Sequence, residues 1–329
     1  MMPRISIVLC TYNRADILPR CLLAATNQSL LPSEYDVVVV DNASTDHTRA
    51  IVERISVASA ATVRYLYHPV KGLSNARNAG ARAALAPVIT YIDDDAIAHP
   101  LLLDEIVRTF DAHPDAGAVG GRIDLSLPNS LPKWYCCFFD GYYSKFDLGL
   151  PLTTKVTEVW QYPYGANISF RRAVLDEIGY FNTAMGRIGR DSSGGEELDA
   201  CCRLARLGYG IWYNPAAVVQ HIILPSRLHW SHISNTARAA GRNWAYYELE
   251  LLKHKWTIRP EVAEYLATLK PMILAAARRS AQQFRMSYSQ HIFYRSKILR
   301  KLRYLMQGAP SRGPMNSSLV PSVGSAANT

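Results

Sequence analysis

The sequence predicts an α/β protein, in which a doubly wound, mostly parallel sheet is followed by a helical extension. Three observations lead to this prediction. Short β-rich apolar runs alternate with stretches of helical spacing, each apolar run ends in a polar cluster, and the alternation stops near residue 225. Strand–helix alternation is typical of parallel β-α-β units with right-handed crossovers. The polar clusters fall where open α/β sheets bind ligands.

The elements follow from the spacing of apolar residues. Strands are predicted at residues 5–10, 36–40, 63–67 and from Val88 onward, with helices at 17–27, 45–56 and 76–85. A helix at 101–110, a strand at 117–127, a short strand opening a helix at 172–178, and short strands at 211–215 and 216–221 complete the pattern. A long helix reaching residue 252 and two more within 261–305 are predicted beyond it.

Composition sets the protein class. The 329 residues, 49% of them hydrophobic, can form one large or two modest domains. No apolar run approaches ~18 residues, and residues 5–10 run straight into a polar loop rather than a signal-type segment. The six cysteines show no Cys-x-x-Cys spacing. We therefore expect reduced thiols and a cytoplasmic protein.

The fourth strand ends in three carboxylates, Asp93, Asp94 and Asp95. Because strand side chains alternate, Asp93 and Asp95 are expected to share one side of the strand. Two like charges at such a place repel unless a divalent cation with a preference for oxygen, Mg²⁺ or Mn²⁺, binds between them. The alternative is an acidic turn that caps a helix beginning near Pro100.

Asp41, after the second strand, and Arg77, in the helix after the third strand, each have two possible roles. No Gly-x-Gly-x-x-Gly follows the first strand, so a dinucleotide signature is absent and a mononucleotide remains compatible with the sequence. Asp41 either accepts from a base or ribose or caps the following helix, and Arg77 either faces a phosphate or is solvated.

Four motifs in this order resemble those of family 2 glycosyltransferases with the GT-A fold: Ser-Ile-Val-Leu-Cys-Thr-Tyr-Asn-Arg at 6–14, Val-Val-Val-Val-Asp-Asn-Ala-Ser-Thr-Asp at 37–46, Asn-Ala-Arg-Asn-Ala-Gly at 75–80 and Tyr-Ile-Asp-Asp-Asp at 91–95. The resemblance covers about residues 5–221. It implies the Rossmann-like fold of nucleotide-diphospho-sugar transferases, with a UDP-sugar as the favoured donor.

The resemblance also assigns residues. It implies nucleotide-sugar contacts for Thr11, Tyr12, Arg14, Asp41, Arg77, Asp93 and Asp94, with Asp93 on the ribose and Arg77 on the nucleotide or phosphate. It implies a metal role for Asp95 and for His221. Imidazole together with carboxylate oxygens suits Mn²⁺ somewhat more than Mg²⁺. Without the aspartates, a lone histidine such as His221 is more often structural.

The middle of the chain contains two further candidates. Residues 134–143 are rich in aromatic side chains, so Trp134 either stacks on a sugar, lies at a membrane interface, or belongs to a satellite core. Asn167 lies in a Gly-Ala-Asn segment that the resemblance places beside the donor sugar and acceptor; otherwise it is an ordinary turn residue. The glycine-rich residues 186–195 form either a loop that closes over substrate or a linker.

A second acidic group, Glu196, Glu197 and Asp199, opens a helix that stops at Gly208. Acids in a first turn are stabilised by the helix dipole, which is their purely structural interpretation. Sugar transfer also needs a base to take the proton from the attacking hydroxyl. The family pattern is Glu-Asp with the second acid as base, and this chain has Glu-Glu. The resemblance thus favours Glu197, with Glu196 as the second choice and Asp199 as a supporting acid.

The C-terminal third is strongly basic. Residues 253–313 carry thirteen Lys and Arg against two Glu, a net charge of +11, whereas the rest of the chain sums to −2. Because the cations alternate with apolar residues on predicted helices, an anionic membrane surface fits the pattern at least as well as nucleic acid, which is the less favoured partner. Residues 309–329, rich in Ser, Pro, Gly and Ala, are predicted to be disordered.

These observations predict a GT-A domain at 1–225, with a nucleotide-binding half at about 1–98 and an acceptor half at about 99–225, and a basic helical extension at 226–308. The predicted function is inverting, metal-dependent transfer of a sugar to a hydroxyl of a sugar or lipid-linked acceptor, at the inner face of the plasma membrane if peripheral. The alternatives are a non-catalytic nucleotide-sugar binding module and a nucleic-acid-binding protein.

Overall fold

The structure is a computed structural model that describes residues 2–187, 194–251 and 258–307. Its strands are β1 (Ile5–Thr11), β2 (Tyr35–Asp41), β3 (Thr62–Tyr67), β4 (Val88–Asp93), β5 (Ala96–Ala98), β6 (Ala116–Ser126), β7 (Thr154–Val156), β8 (Asn167–Arg171) and β9 (Gly210–Ile222). Its α-helices are α1 (Leu18–Ala25), α2 (Thr48–Ala58), α3 (Leu73–Ala83), α4 (Leu102–Ala112), α5 (Arg172–Glu177), α6 (Glu196–Arg206), α7 (Trp230–Tyr246), α8 (Arg259–Ala267), α9 (Leu269–Ala277) and α10 (Ala281–Gln307).

All of these strands belong to one sheet. Its order is β3-β2-β1-β4-β8-β6-β9-β5, and β7 pairs with β9. The strands β3, β2, β1 and β4 run parallel, as predicted from the strand–helix alternation, whereas β8 is antiparallel to both of its neighbours. Thr11 pairs with Asp41 in the register, and Cys10 pairs with Asp93. The polar ends of three strands therefore meet at one edge of the sheet.

The core of the parallel half is covered on both faces, which explains the unbroken valine run of β2. Val37, Val38, Val39 and Val40 are all fully buried. Helix α3 packs closely on this sheet because Gly80 has no side chain: a Cβ there would lie 2.3 Å from Cγ1 of Val8. This close contact fixes the helix that carries Arg77.

The acidic strand end differs from the predicted arrangement. Strand β4 stops at Asp93, and Asp94 and Asp95 form a turn into β5. The expectation that Asp93 and Asp95 share one side of a strand was therefore wrong, because strand alternation does not continue through a turn. Strand β5, which was not predicted, pairs with β9 and sets Ala96 opposite His221.

Within 230–251 and 258–307, the described residues of the C-terminal part are mainly helical. Strand β9 is continuous where two short strands were predicted, and three helices, α8 to α10, replace the two predicted within 261–305. The break between α8 and α9 is at Thr268, whose hydroxyl donates to the carbonyl of Tyr265. Helix α10 packs on α7, where a Cβ on Gly241 would lie 2.2 Å from the carbonyl oxygen of Phe293.

Buried ion pairs join this layer. Lys301 Nζ lies 2.7 Å from Oε2 of Glu248 and 2.5 Å from Oε1 of Glu261, and Lys297 contacts the same two acids. In the part of the chain that the structure describes, no helix combines the length and the apolar character needed to cross a membrane. Most of the glycine-rich segment (188–193) and the C-terminal tail (308–329) lie outside the described residues, and the domain boundaries stay predictions.

Candidate active site

The loops after β1 and β2 are tied to each other. The backbone N–H of Asn13 donates to Oγ of Ser44 over 2.9 Å, and Oδ1 of Asn13 accepts from the N–H of Thr45 over 2.7 Å. Asn13 adopts a left-handed conformation, with φ 52°, which asparagine tolerates better than most residues. The two loops, which the resemblance assigns to the nucleotide, therefore form one rigid polar rim beside buried Thr11.

Asp41 and Tyr12 lie on this rim with different exposure. Asp41 is buried, and its two oxygens accept from the hydroxyl of Tyr65 over 2.7 Å and the N–H of Ser44 over 2.8 Å. Tyr12 is 41% exposed, and Nζ of Lys71 lies 2.8 Å from its hydroxyl and 4.6 Å from its ring centroid. The alternative in which Asp41 caps a helix does not hold, because α2 begins at Thr48 and Asp41 instead holds the loop after β2. The nucleotide contacts of Asp41 and Tyr12 stay predictions, and Tyr12 offers an accessible ring.

Asp95 is surrounded by cationic and imidazole groups. Its oxygens lie 3.0 Å from Nε2 of His221, 3.1 Å from Nη1 of Arg227 and 3.2 Å from Nη2 of Arg14. Burial alone would raise its pKa, but the hydrogen bond from His221 and the nearby charges hold the pKa well below its usual range. Burial and the neighbouring Asp95 raise the pKa of Asp94 to about 7.

The orientation of His221 fits a metal ligand. Its Nδ1 lies 2.7 Å from the carbonyl oxygen of Tyr143, and since a carbonyl only accepts, Nδ1 carries the hydrogen. Nε2 lies 3.0 Å from Oδ1 of Asp95: it donates to this carboxylate when it carries a hydrogen, and without that hydrogen it offers a lone pair to a cation. A backbone carbonyl that fixes the distal ring nitrogen is the usual second partner of a metal-bound histidine.

Few protein side chains near Asp95 could act as metal ligands. Within residues 2–187, 194–251 and 258–307, no three His, Cys, Asp or Glu side chains converge as a complete metal cage. Asp95 and His221 supply one carboxylate and one imidazole, a pair that suits Mn²⁺ or Mg²⁺ when the other positions are filled by phosphate oxygens and water. The residues present therefore fit the implied metal as a shared site.

Arg77 connects the two acidic groups. Its Nη1 lies 2.6 Å from Oε1 of Glu196 and its Nη2 lies 3.2 Å from Oδ1 of Asp93, and only 3% of the side chain is exposed. The guanidinium also lies over the rings of Tyr91 and Phe181. The nucleotide or phosphate contact implied for Arg77 stays a prediction; in the structure the guanidinium is the buried counter-ion of two protein carboxylates.

The two glutamates at the start of α6 have different surroundings. Glu196 is buried against Arg77, and burial, reinforced by the Glu197 carboxylate, raises its pKa even though Arg77 opposes the shift. Glu197 is half-buried, and its Oε1 accepts from the N–H of Gly165 over 3.3 Å. Among the described residues, Oε2 of Glu197 has no hydrogen-bond partner. Oε2 of Glu196 has none either, but Glu196 is fully buried in an ion pair with Arg77, whereas Glu197 is half-buried and is paired with no cation in the described part of the chain. Glu197 is therefore the more accessible acid of this pair to a new donor.

The backbone at Gly165 brings Glu197 and Arg77 close together. A Cβ on Gly165 would lie 2.2 Å from Nη2 of Arg77, so this backbone touches the guanidinium on one side and donates to Glu197 on the other. Asp199, the predicted supporting acid, instead pairs with Arg203 over 2.8 Å. Arg203 also donates to the carbonyls of Ile178 and Tyr180, so the ion pair helps to hold α6 against the segment that follows α5. The supporting role of Asp199 stays a prediction.

Two other predicted residues have structural contacts. The Asn167 amide donates to the carbonyls of Arg122 and Ala217, which holds β6 and β9 together where their register shifts. The Trp134 ring packs in an aromatic cluster with Phe139 and Trp230, the arrangement of a satellite core. Their roles beside a sugar stay predictions, and the contacts described here do not depend on a sugar.

Sequence reasoning missed Arg227, Lys71 and Tyr143. Arg227 lies in the 3₁₀ turn Pro225–Arg227, six residues after His221, beyond the segment in which the motifs are recognisable. Tyr143 acts through its backbone carbonyl, so its residue type gives no signal. Lys71 precedes Gly72 at the loop before α3, and a basic residue next to a predicted nucleotide loop was the available clue.

Comparisons with known proteins agree with this architecture. The chain matches the sequence model of Glycosyl transferase family 2 over residues 6–179. It is 29% identical over 227 residues to the glucosyl-dolichyl phosphate glucuronosyltransferase of Haloferax volcanii, covering 68% of this chain and 71% of the relative. It is 30% identical over 128 residues to glycosyltransferase AglE of the same organism, covering 39% of this chain and 42% of AglE, so it spans less than half of that relative.

Solved structures share the fold. The mannosyltransferase PcManGT from Pyrobaculum calidifontis, in complex with GDP-Man and Mn²⁺, aligns with a TM-score of 0.59 at 19% identity, covering 93% of this chain and 88% of PcManGT. S. aureus TarS 1-349 aligns with a TM-score of 0.52 at 14% identity, covering 92% and 91%. At these identities the likeness concerns the GT-A fold alone. Since the matched family model spans more than half of the sequence, this chain belongs to glycosyl transferase family 2.

Proposed function

We propose that this glycosyltransferase moves a sugar from a nucleoside diphosphate donor to an acceptor hydroxyl with inversion, in the crevice between Asp93–Asp95 and the start of α6. The observation that carries the proposal is the position of Arg77, which pairs with Asp93 from the first acidic group and Glu196 from the second. One buried guanidinium thus draws together carboxylates that are about a hundred residues apart in the chain. The crevice has a donor side and a base side.

The donor side is the rim formed by the loops after β1 and β2 together with Asp95. Arg14 and Arg227 supply positive charge beside the place where a diphosphate would leave. Asp95 and His221 would hold Mn²⁺ or Mg²⁺. A divalent cation bound there supplies further positive charge to the departing diphosphate.

The base side is Glu197. Its carboxylate accepts the proton of the acceptor hydroxyl while the acceptor oxygen bonds to the anomeric carbon and the bond from that carbon to the diphosphate oxygen breaks. The proton ends on Glu197 and the electron pair of the broken bond leaves with the diphosphate. Attack from the face opposite the leaving group inverts the anomeric configuration. The dipole of α6 favours the ionised carboxylate before the step.

Relatives support the substrate class. PcManGT was solved with GDP-Man and Mn²⁺, and TarS 1-349 was solved with UDP. The first curated relative is named for transfer to a glucosyl-dolichyl phosphate. We propose a UDP-sugar donor, a sugar or lipid-linked acceptor and a role in polysaccharide, cell-envelope or glycolipid biosynthesis, with a cytoplasmic location that is peripheral to the inner face of the plasma membrane.

The proposal is tested by screening UDP-, GDP- and TDP-sugars for thermal stabilisation and nucleotide release, with Mn²⁺, with Mg²⁺ and with a chelator. We expect thermal stabilisation and nucleotide release with donors of one nucleotide base and with a divalent cation. NMR of the product should show the inverted anomeric configuration. Full turnover in chelator would refute the metal role. Stabilisation by a nucleotide sugar without any release or transfer to any of a panel of acceptors would favour the non-catalytic binding module.

A further inference from the structure

Helix α9 presents an apolar face to solvent. Leu269, Ile273 and Ala277 follow one another at intervals of four residues, which places them on one side of the helix. All three are exposed, Ile273 by 68%, and the neighbouring Leu274 is 43% exposed. The only buried residue of the helix is Ala275, so the large side chains point outward and the small one inward. A solvated surface helix has the opposite arrangement.

The charge along α9 and α10 has one sign. From Leu269 to Gln307 the chain has nine Lys and Arg and no Asp or Glu. Two of the nine, Lys297 and Lys301, are buried in ion pairs with Glu248 and Glu261. On α9 and directly after it, Lys270, Arg278 and Arg279 are exposed beside the apolar side chains. This surface, called the α9 face below, is therefore apolar at its centre and cationic at its edge.

A cavity lined by aromatic residues adjoins the α9 face. It measures about 410 Å³, and its lining includes Ala275 and Ala276 of α9 together with Trp230, Phe284 and Tyr288. Arg285 also lines it and lies over the ring of Trp230 at 5.7 Å. Tryptophan, tyrosine and arginine beside exposed aliphatic side chains are the composition found at the boundary between bilayer headgroups and acyl chains.

We propose that the α9 face is a docking surface for an anionic lipid bilayer. Ile273, Leu269 and Leu274 enter the headgroup–acyl boundary, and the cations beside them meet lipid phosphates. A second copy of this chain fits the surface less well, because two such faces would bring cations of the same sign together. Nucleic acid fits less well too, because contacts of the cations with phosphates would leave the exposed aliphatic side chains of Ile273 and Leu274 in water.

Docking at this face would set the active site near the membrane. Trp230, in the cavity wall, follows Arg227 by three residues, so their α-carbons lie at most about 11 Å apart, and Arg227 contacts Asp95. An acceptor anchored in the membrane would therefore be held close to the crevice. This consequence rests on the proposed function, and the docking deepens the peripheral location proposed there; the docking does not depend on the transfer reaction.

The test is sedimentation of the full chain with vesicles of phosphatidylcholine alone or with about 30% phosphatidylglycerol. We expect binding to the anionic vesicles, with a partition coefficient about tenfold lower for Ile273→Asp and about fivefold lower for Arg278→Gln. Val57→Asp is the matched control, because Val57 is a 90% exposed aliphatic residue on α2, outside the α9 face. This control should sediment like the unmodified chain.

The proposal is overturned if the chain stays in the supernatant with anionic vesicles, or if Ile273→Asp and Val57→Asp sediment equally. It is also overturned if Ile273→Asp abolishes a concentration-dependent dimer or the binding of a labelled oligonucleotide instead. A thermal midpoint that falls for Ile273→Asp but not for Val57→Asp would show that another part of the chain covers the face. Nucleotide release in the absence of vesicles is unaffected by docking, so it reports separately on the proposed function.

Discussion

The two acidic groups of the crevice differ in how their charges are balanced. At the end of β4, Asp95 contacts His221, Arg14 and Arg227, and Asp93 contacts Arg77. At the start of α6, Glu196 shares Arg77, whereas the hydrogen bond described for Glu197 comes from one backbone N–H, that of Gly165. In the first group Asp93 and Asp95 are paired with cations, and in the second Glu197 is a carboxylate with no ion pair among the described residues.

This difference gives the carboxylates of the two groups different chemical roles. A carboxylate surrounded by guanidinium groups keeps its negative charge and has little tendency to take a proton, so it suits binding of cations. A carboxylate that is supported only by a helix N-terminus and one amide is free to accept a proton from a substrate. Residue type alone does not distinguish Glu196 from Glu197, whereas the position of Arg77 does. The predictions below test this assignment, from the largest expected effect to the smallest.

Glu197→Gln should lower kcat about a thousandfold, about 4 kcal/mol in activation free energy, because the amide cannot accept the proton. The donor KM should change little, since Glu197 lies on the base side. Steady-state kinetics with the donor identified by the screen provide the measurement. Glu196→Gln is the matched variant and should retain more activity. If the two variants exchanged these behaviours, the base would be Glu196.

Arg77→Met should lower the free energy of unfolding by about 3 kcal/mol, because it leaves the buried Glu196 without its counter-ion. Urea denaturation measures the change. Arg82→Met on the same helix is the control, since Arg82 is exposed and should cost little. Adding Glu196→Gln to Arg77→Met should recover part of the loss. An unchanged unfolding free energy for Arg77→Met would mean that the two acidic groups are not joined through this residue.

Arg227→Gln should lower kcat about 100-fold, about 2.7 kcal/mol, because a cation beside the departing diphosphate is removed. The nearby Arg238→Gln on α7 is exposed and should behave like the unmodified enzyme. Kinetics at saturating donor and divalent cation separate this loss from weaker donor binding. Equal rates for the two variants would remove Arg227 from the donor side.

Tyr65→Phe should lower the free energy of unfolding by about 1 kcal/mol, because the Asp41 carboxylate loses the hydroxyl that donates to it. Tyr67→Phe, two residues further along β3 and 54% exposed, should change the stability less. The same urea denaturation experiment applies. If the two tyrosines were equivalent, the hydrogen bond between Tyr65 and Asp41 would contribute nothing measurable to the rim.

The parallel half of the fold was predictable because its elements depend on local patterns. The valine run of β2, the helical spacing of α2 and the position of β4 all follow from short-range periodicity. The short strands β5 and β7 were missed, since each contains three residues and gains its stability from pairing with β9. The ends of strands are also hard to predict, and the turn after Asp93 is an example.

The sequence by itself determined the family, the alternation of strands and helices in the parallel half, and the chemistry of the candidate side chains. These features depend on residue types and local spacing. Only the tertiary structure decided which carboxylate meets which cation. Arg77 reaches Glu196 and Arg227 reaches Asp95 across more than a hundred residues of chain. Such pairings arise when packed strands and helices bring distant positions within a few ångströms, and no local pattern encodes that distance.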